Sequence, residues 1–269
     1  MKIAVCFSGM IRTGAICAPA LRDWFGKYYD DIDFFMHTWD VSVAKPWHPD
    51  CVAIHKGAVP TNITKENTYT LLPELMAAYD GKITSIEIEN FNLFERGFHK
   101  QFDSFSPLWY SWFKSVQLKR MYETINKIEY DLVVKLRPDI VFNLDPNLGY
   151  LFSNYIADAL ESPHVFFVNS SMPVRIDDIV FISTSKIMDI ASAFIINTGV
   201  KEFSPGGFIN YLADTGITVN EMRPPPGYVV YRPVHVANAV SPYDFETAFN
   251  LEGDHYAPES ARIILTNGS

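Results

Sequence analysis

The feature that most constrains this chain is a repeated pattern. Short apolar runs stop abruptly at polar or glycine-bearing turns, and a stretch of helical periodicity follows. Lys2-Ile3-Ala4-Val5-Cys6-Phe7 ends at Ser8-Gly9. The run is short and closed by a turn signal, so it reads as a buried strand. Residues 15–29 then carry Ile16, Ala20, Leu21, Trp24 and Phe25 at helical spacing. A second apolar run, Ile32 to Met36, ends at His37-Thr38-Trp39-Asp40. Strand, polar loop, helix, strand is the opening of an α/β unit with a parallel sheet.

The pattern continues with a helix over 70–79, a strand over 83–88 and a long helix over 107–127. In that helix Trp109, Trp112, Phe113, Val116, Met121 and Ile125 approximate one apolar face. Tyr130 to Leu136 is a strong strand broken by Arg137-Pro138-Asp139, and Ile140 to Phe142 resumes as a short one. Beyond it a helix is predicted over 147–160, strands over 164–168 and 176–182, and a helix over 185–196. A short helix follows Pro205-Gly206-Gly207, with strands over 217–222 and 228–232. Residues 41–68 read as an irregular excursion, and Arg223-Pro224-Pro225-Pro226-Gly227 as a loop. No repeat and no linker divides the chain, so residues 1–269 are expected to form a single domain around a mixed, mostly parallel sheet flanked by helices.

Composition excludes several classes. At 48% hydrophobic and 20% charged, the 269-residue chain is not a disordered one. A formal charge of −9 argues against a nucleic-acid binder, which needs a basic footprint for phosphates. Cys6, Cys17 and Cys51 form no CxxC pair, and His37, His48, His55 and His255 show no metal-ligand spacing. A disulfide framework and a zinc centre are therefore not expected. The first apolar run is too short for a secretory leader, and no stretch reaches the ~20 apolar residues of a membrane span. The expectation is a soluble, cytoplasmic protein.

Ligands of open α/β sheets bind outside the carboxyl ends of the parallel strands. Three strands here end in polar sequence: Ser8 to Gly14, His37 to Asp40, and Arg137 to Asp139. The first loop matches neither a P-loop nor GxGxxG. It is a glycine-containing turn feeding a helix start, with Arg12 and two hydroxyls, a setting that favours an anion. The plainer alternative is a helix cap by Thr13 with Arg12 solvated. Trp39 could stack a base with His37 and Asp40 beside it, or it could be a packed ring with Asp40 as a cap. Asp139 could ligate a hard divalent cation, or serve as an ordinary turn residue. Asp177 and Asp178 precede an apolar strand, and one of them facing the cleft would be a candidate general base. Ser111 and Lys114 lie on the more polar side of the long helix, a solvated face unless that helix borders the cleft.

These segments, taken in order, resemble a family of bacterial and large-virus glycosyltransferases. The likeness runs through Ile3-Ala4-Val5-Cys6-Phe7-Ser8-Gly9-x-x-Arg12-Thr13, then Asp33 to Trp39, Tyr110-Ser111-Trp112-Phe113-Lys114-Ser115, Tyr130 to Asp139, and Asp178 through Met188. The resemblance implies a GT-A-like, Rossmann-related fold, with a nucleotide-binding half over about 1–142 and an acceptor-side half over about 143–269. It implies a nucleotide-sugar donor, a UDP- or GDP-sugar, and a glycan or other hydroxyl acceptor. Carried over, Ser8, Gly9, Arg12, Thr13, His37, Trp39, Asp40, Ser111, Lys114, Arg137 and Asp139 would line the donor site. Asp178, with Asp177 second, would be the catalytic base. The family's Asp-x-Asp metal motif is altered, because Arg137 stands in its first position. Either Asp139 alone anchors Mn²⁺ or Mg²⁺, or Arg137 itself neutralises the diphosphate; a metal on Asp139 is the expectation carried forward. A ligand-binding relative without activity and a sugar-phosphate nucleotidyltransferase are the alternatives.

Overall fold

The computed structural model describes residues 1–41, 68–97, 106–142, 154–155, 157–161, 164–169, 176–197, 203–221, 228–230 and 241–242. In chain order the elements are β1 (Lys2–Ser8), α1 (Gly14–Tyr28), β2 (Asp31–Trp39), α2 (Thr68–Ala78), β3 (Ile83–Glu89), α3 (Phe91–Gly97) and α4 (Ser106–Asn126). They continue with β4 (Leu132–Leu136), β5 (Ile140–Phe142), β6 (His164–Asn169), β7 (Ile176–Ser183), α5 (Ser185–Ser192), a 3₁₀ turn (Ala193–Ile196), α6 (Pro205–Asp214), β8 (Thr218–Glu221) and β9 (Tyr228–Val230).

Seven strands form one sheet in the order β3-β2-β1-β4-β7-β6-β8. β1 is parallel to β2 and β4, and β2 is parallel to β3. β7 runs antiparallel to both of its neighbours, and β8 is parallel to β6. β5 and β9 pair apart from this sheet. The α/β class with a mixed, mostly parallel sheet flanked by helices is as the sequence predicts.

β1 and β4 are apolar at nearly every position because both faces of the sheet are covered. Ile3, Val5 and Phe7 face α1, where Leu21, Trp24 and Phe25 fill the first core. Ala4 and Cys6 face the other way, onto Trp109, Trp112 and Val116 of α4. Trp109 stacks on Phe208 at 4.9 Å and donates its indole N–H to the Phe203 carbonyl at 2.7 Å. This aromatic layer fastens α4 and α6 to the sheet.

The structure corrects several boundaries. β2 extends through His37-Thr38-Trp39 because β3 pairs with it from Phe34 to Trp39. Met121 and Ile125 of α4 are exposed, and the buried face runs through Ser115, Val116 and Lys119, with Tyr122 edge-on to Phe35 at 5.7 Å. Beside that contact the helix meets α5, whose Ser185 and Asp189 supply polar partners for Lys119. α6 begins at Pro205, with Ser204 accepting the Gly207 N–H at 3.1 Å. α3 has no counterpart in the sequence reading.

The readings over 41–68, 147–160 and 223–227 lie wholly or mostly outside the described residues, as do Cys51, His48, His55 and His255. Cys6 and Cys17 are buried free thiols. Among the described residues no helix is long and apolar enough to cross a membrane.

Candidate functional site

The parallel strands β1, β2, β3 and β4 deliver their carboxyl ends to one rim, and antiparallel β7 begins at that rim. Ser8 lies beside His37 on β2, and His37 beside Glu87 on β3, so a polar row crosses three strands there.

The loop after β1 is held in an unusual shape. Gly9 has φ +111° and open space where a side chain would begin. Arg12 also has positive φ, at 48°, a conformation costing a non-glycine residue about 1 kcal/mol or more. Two contacts explain why the loop keeps this shape. Gly14 approaches so closely that a Cβ would stand 3.0 Å from Pro138 Cβ, which locks the loop to the Arg137-Pro138-Asp139 turn. Arg12 Nη1 then reaches Asp139 Oδ2 at 3.1 Å.

Arg137 approaches the same carboxylate, donating Nε to Oδ1 at 2.9 Å and Nη2 to Oδ2 at 2.8 Å. Two guanidiniums from different strand-end loops thus share one carboxylate that is 1% exposed. The plainer alternative, a cap by Thr13 with a solvated Arg12, does not occur. Thr13 occupies the cap position of α1 without a side-chain cap bond. Close by, the Ser8 hydroxyl is 3% exposed and has no hydrogen-bond partner among the described residues. A buried hydroxyl left in that state costs about 1–3 kcal/mol.

Asp139, the carboxylate expected to hold a metal, accepts hydrogen bonds from guanidiniums on both of its oxygens.

A second cluster adjoins the first. The Ser111 hydroxyl, on α4, accepts the Gly9 N–H at 2.7 Å, donates to the His37 carbonyl at 3.1 Å and lies 2.9 Å from His37 Nδ1. His37, Glu87 and Glu89 each offer a ligand atom, all within 4.8 Å of one another, a grouping that could hold a metal ion. Lys114 Nζ is already there, 2.9 Å from Glu87 Oε1 and 2.8 Å from Glu89 Oε1. The Tyr110 hydroxyl donates to Glu89 Oε2 at 3.0 Å.

These neighbours set the charge states. Burial lowers the His37 pKa against the pull of Glu89, so the ring is neutral near pH 7. Glu89 is held down at about 2, by His37 first and by Lys114, while burial works the other way. His37 Nε2 stands 3.8 Å from Glu89 Oε1, beyond hydrogen-bond range, so Lys114 is the closer support. Burial opposes the Lys114 charge, yet the hydrogen bonds it donates to Glu87 and Glu89 outweigh it and raise its pKa. Lys114 is therefore an internally neutralised cation rather than a solvated one.

Trp39 does not offer a face to a base. It is 1% exposed, stacked on Tyr110 at 5.8 Å and set edge-on to His37 and Phe91. Asp40 is turned to local structure: it accepts the Phe91 N–H at 2.9 Å and the Asn90 amide at 2.6 Å, which starts α3. Asp177 and Asp178 lie on the backbone of β7, and their side chains fall outside the described residues.

The sequence reading passed over Glu87, Glu89 and Tyr110. A signal for them exists: Glu87 and Glu89 alternate with isoleucines at the end of a strand, which puts both acids on one face. Tyr110 and Lys114, four apart, share a helix face opposite them.

Glu89 also predicts an acid response. Its folded pKa lies below the ordinary 4.5, so its contribution to stability is complete above 4.5 and is lost as pH falls toward 2. Glu89→Gln should flatten the dependence of unfolding free energy on pH across that window, measured by urea melts at stepped pH. An unchanged slope would show that Glu89 is not held by Lys114 and His37.

No family model matches the chain, and no curated protein matches it. Solved structures similar to it include a glycosyltransferase involved in the glycosylation of the major capsid of PBCV-1, with 9% identity, 82% of this chain and 83% of that one covered, and a TM-score of 0.40. The galactosyltransferase LgtC, in complex with donor and acceptor sugar analogs, has 12% identity, 81% and 73% coverage, and a TM-score of 0.33. A Bacillus anthracis protein assigned as a glucose-1-phosphate thymidylyltransferase has 11% identity, 97% and 99% coverage, and a TM-score of 0.39. Function has to be read from the residues of the site.

Proposed function

We propose that this chain is a glycosyltransferase that moves a sugar from a nucleoside-diphosphate donor to a hydroxyl acceptor. One observation carries the reading: Arg12 and Arg137, from separate strand-end loops, converge on Asp139 at the carboxyl rim of the parallel strands. Paired guanidiniums suit a diphosphate because each can donate two hydrogen bonds to phosphate oxygens. The Ser8 hydroxyl adds a neutral donor beside them.

In the proposed reaction the acceptor hydroxyl loses its proton to a carboxylate as its oxygen bonds the anomeric carbon. The bond from that carbon to the phosphate oxygen breaks, and its electrons leave with the nucleoside diphosphate. Arg12 and Arg137 stabilise the charge that grows on the leaving group. Asp178 is the proposed base, with Asp177 second, since both stand at the β7 end that begins at this rim.

Calorimetric titration with UDP and GDP tests the proposal. One of the two should bind, and Arg12→Ala and Arg137→Ala should each weaken it about ten- to a hundredfold, the worth of a charge-assisted hydrogen bond. Asp178→Asn should abolish sugar transfer and leave that binding intact. If neither nucleotide binds at millimolar concentration, the proposal fails. A relative that binds nucleotide without turnover is the second reading, favoured by the full engagement of Asp139; transfer activity with any donor would remove it.

A further inference from the structure

We infer that Lys114 fills the acidic grouping at the rim and closes it to a divalent cation, so that a nucleoside diphosphate is held by Arg12 and Arg137 without a metal ion at that grouping. The nucleotide part of this inference rests on the proposed function; the part concerning Lys114 does not.

Among the described residues, His37, Glu87 and Glu89 are the group of side chains able to hold an ion. It has the features of a real binding position. His37 is fully buried, and its Nε2 has no hydrogen-bond partner while it faces Glu89 from 3.8 Å. Glu87 and Glu89 point their Oε1 atoms at a common point, and that point is occupied by the Lys114 ammonium at 2.9 and 2.8 Å. An ammonium and a hard dication compete for the same carboxylate oxygens, so while Lys114 is seated the position is closed to an ion.

The other carboxylate at the rim, Asp139, is engaged on both oxygens by Arg12 and Arg137. Among the described residues, fixed side-chain cations therefore occupy both of these carboxylate groups. One neighbourhood is linked to the other through Ser111, which holds the Gly9 N–H and touches His37. A lysine on a rigid helix acts as a point charge with short-range donors, and it stays in place across changes in ion supply.

Two titrations decide the matter. In the first, Mn²⁺ alone is added to the full chain and free ion is followed by its electron paramagnetic resonance signal. Wild type should leave the signal undepleted, as should Lys114→Arg, which keeps the cation. Lys114→Met vacates the space between two carboxylates and beside the His37 ring, and it should take up one Mn²⁺ per chain with a rise in melting temperature. In the second, UDP and GDP are titrated into wild type in EDTA and in Mn²⁺, and the Kd values should agree within roughly threefold.

The inference is overturned if wild type sequesters one Mn²⁺ per chain, or if folded Lys114→Met takes up none. A nucleotide Kd that tightens tenfold or more when the ion is added overturns it too. Should Lys114→Met fail to fold, the wild-type titration alone decides. If neither nucleotide binds in either buffer, the glycosyltransferase reading falls while the Mn²⁺ titration still judges Lys114.

Discussion

Asp139→Ala should destabilise the protein by about 3–5 kcal/mol, the cost of removing one partner from a buried charge group. The carboxylate is 1% exposed, whereas Arg12 and Arg137 are 30% and 19% exposed, so deletion leaves two partly buried guanidiniums facing each other. For a chain of this size that loss corresponds to a melting temperature lower by roughly 6–20 °C. The deficit should respond to anions. Inorganic phosphate or pyrophosphate can take the place of the carboxylate and should restore more stability to the variant than to wild type. Thermal melts by circular dichroism with and without pyrophosphate provide the measurement. A loss below about 1 kcal/mol, the range of an exposed pair, would show that Asp139 is not the counter-ion that assembles the cradle.

The second large effect lies away from the rim. Lys119 is fully buried, 3.0 Å from Glu123 Oε2 and 2.8 Å from Asp189 Oδ1, and it also bonds Ser185. It fastens α4 to α5. Lys119→Met matches the length of the side chain but takes the buried cation from two acids. Asp189 is left with Arg120, and Glu123 with the Tyr130 N–H and Ser185 hydroxyl. The change should cost about 2–4 kcal/mol at neutral pH.

The pH dependence identifies the cause. Burial already raises the Asp189 pKa and Lys119 is the main influence lowering it, so removing Lys119 pushes it further up. The folded variant then binds a proton more readily than its unfolded chain, and stability rises as pH falls. The gap to wild type should therefore narrow in urea melts taken at successively lower pH, and Asp189→Asn added to Lys119→Met should recover part of it at neutral pH. A gap independent of pH would mean that lost packing, rather than stranded charge, sets the cost.

Much of the fold was legible because its signals are local. An apolar run closed by Ser8-Gly9 is a strand whatever surrounds it, and the helical spacing of Leu21, Trp24 and Phe25 survives into the packed core. The convergence of three strand ends was legible too, since a parallel sheet brings consecutive carboxyl ends to one rim. The roles of individual side chains there were less so. Arg12 and Asp139 lie 127 residues apart, and no local rule says that one will neutralise the other. Trp39 has the residue type of a stacking platform and the environment of a core ring; only its neighbours Tyr110 and Phe91 tell the two apart. Met121 and Ile125 followed helical periodicity and were still left exposed, because the side of the helix that packs beyond Val116 is the one carrying Lys119 and Tyr122.

By itself the amino-acid sequence determined the class of the fold, the order of its elements and which three segments border the rim. Those follow from periodicity and turn chemistry, properties of neighbouring residues. Tertiary structure alone decided which charges meet: Asp139 beneath two arginines, and Lys114 between Glu87 and Glu89. Coulombic partnership depends on separation in space to within a few ångströms, and residues far apart in the chain acquire that separation only when the sheet and its helices have packed.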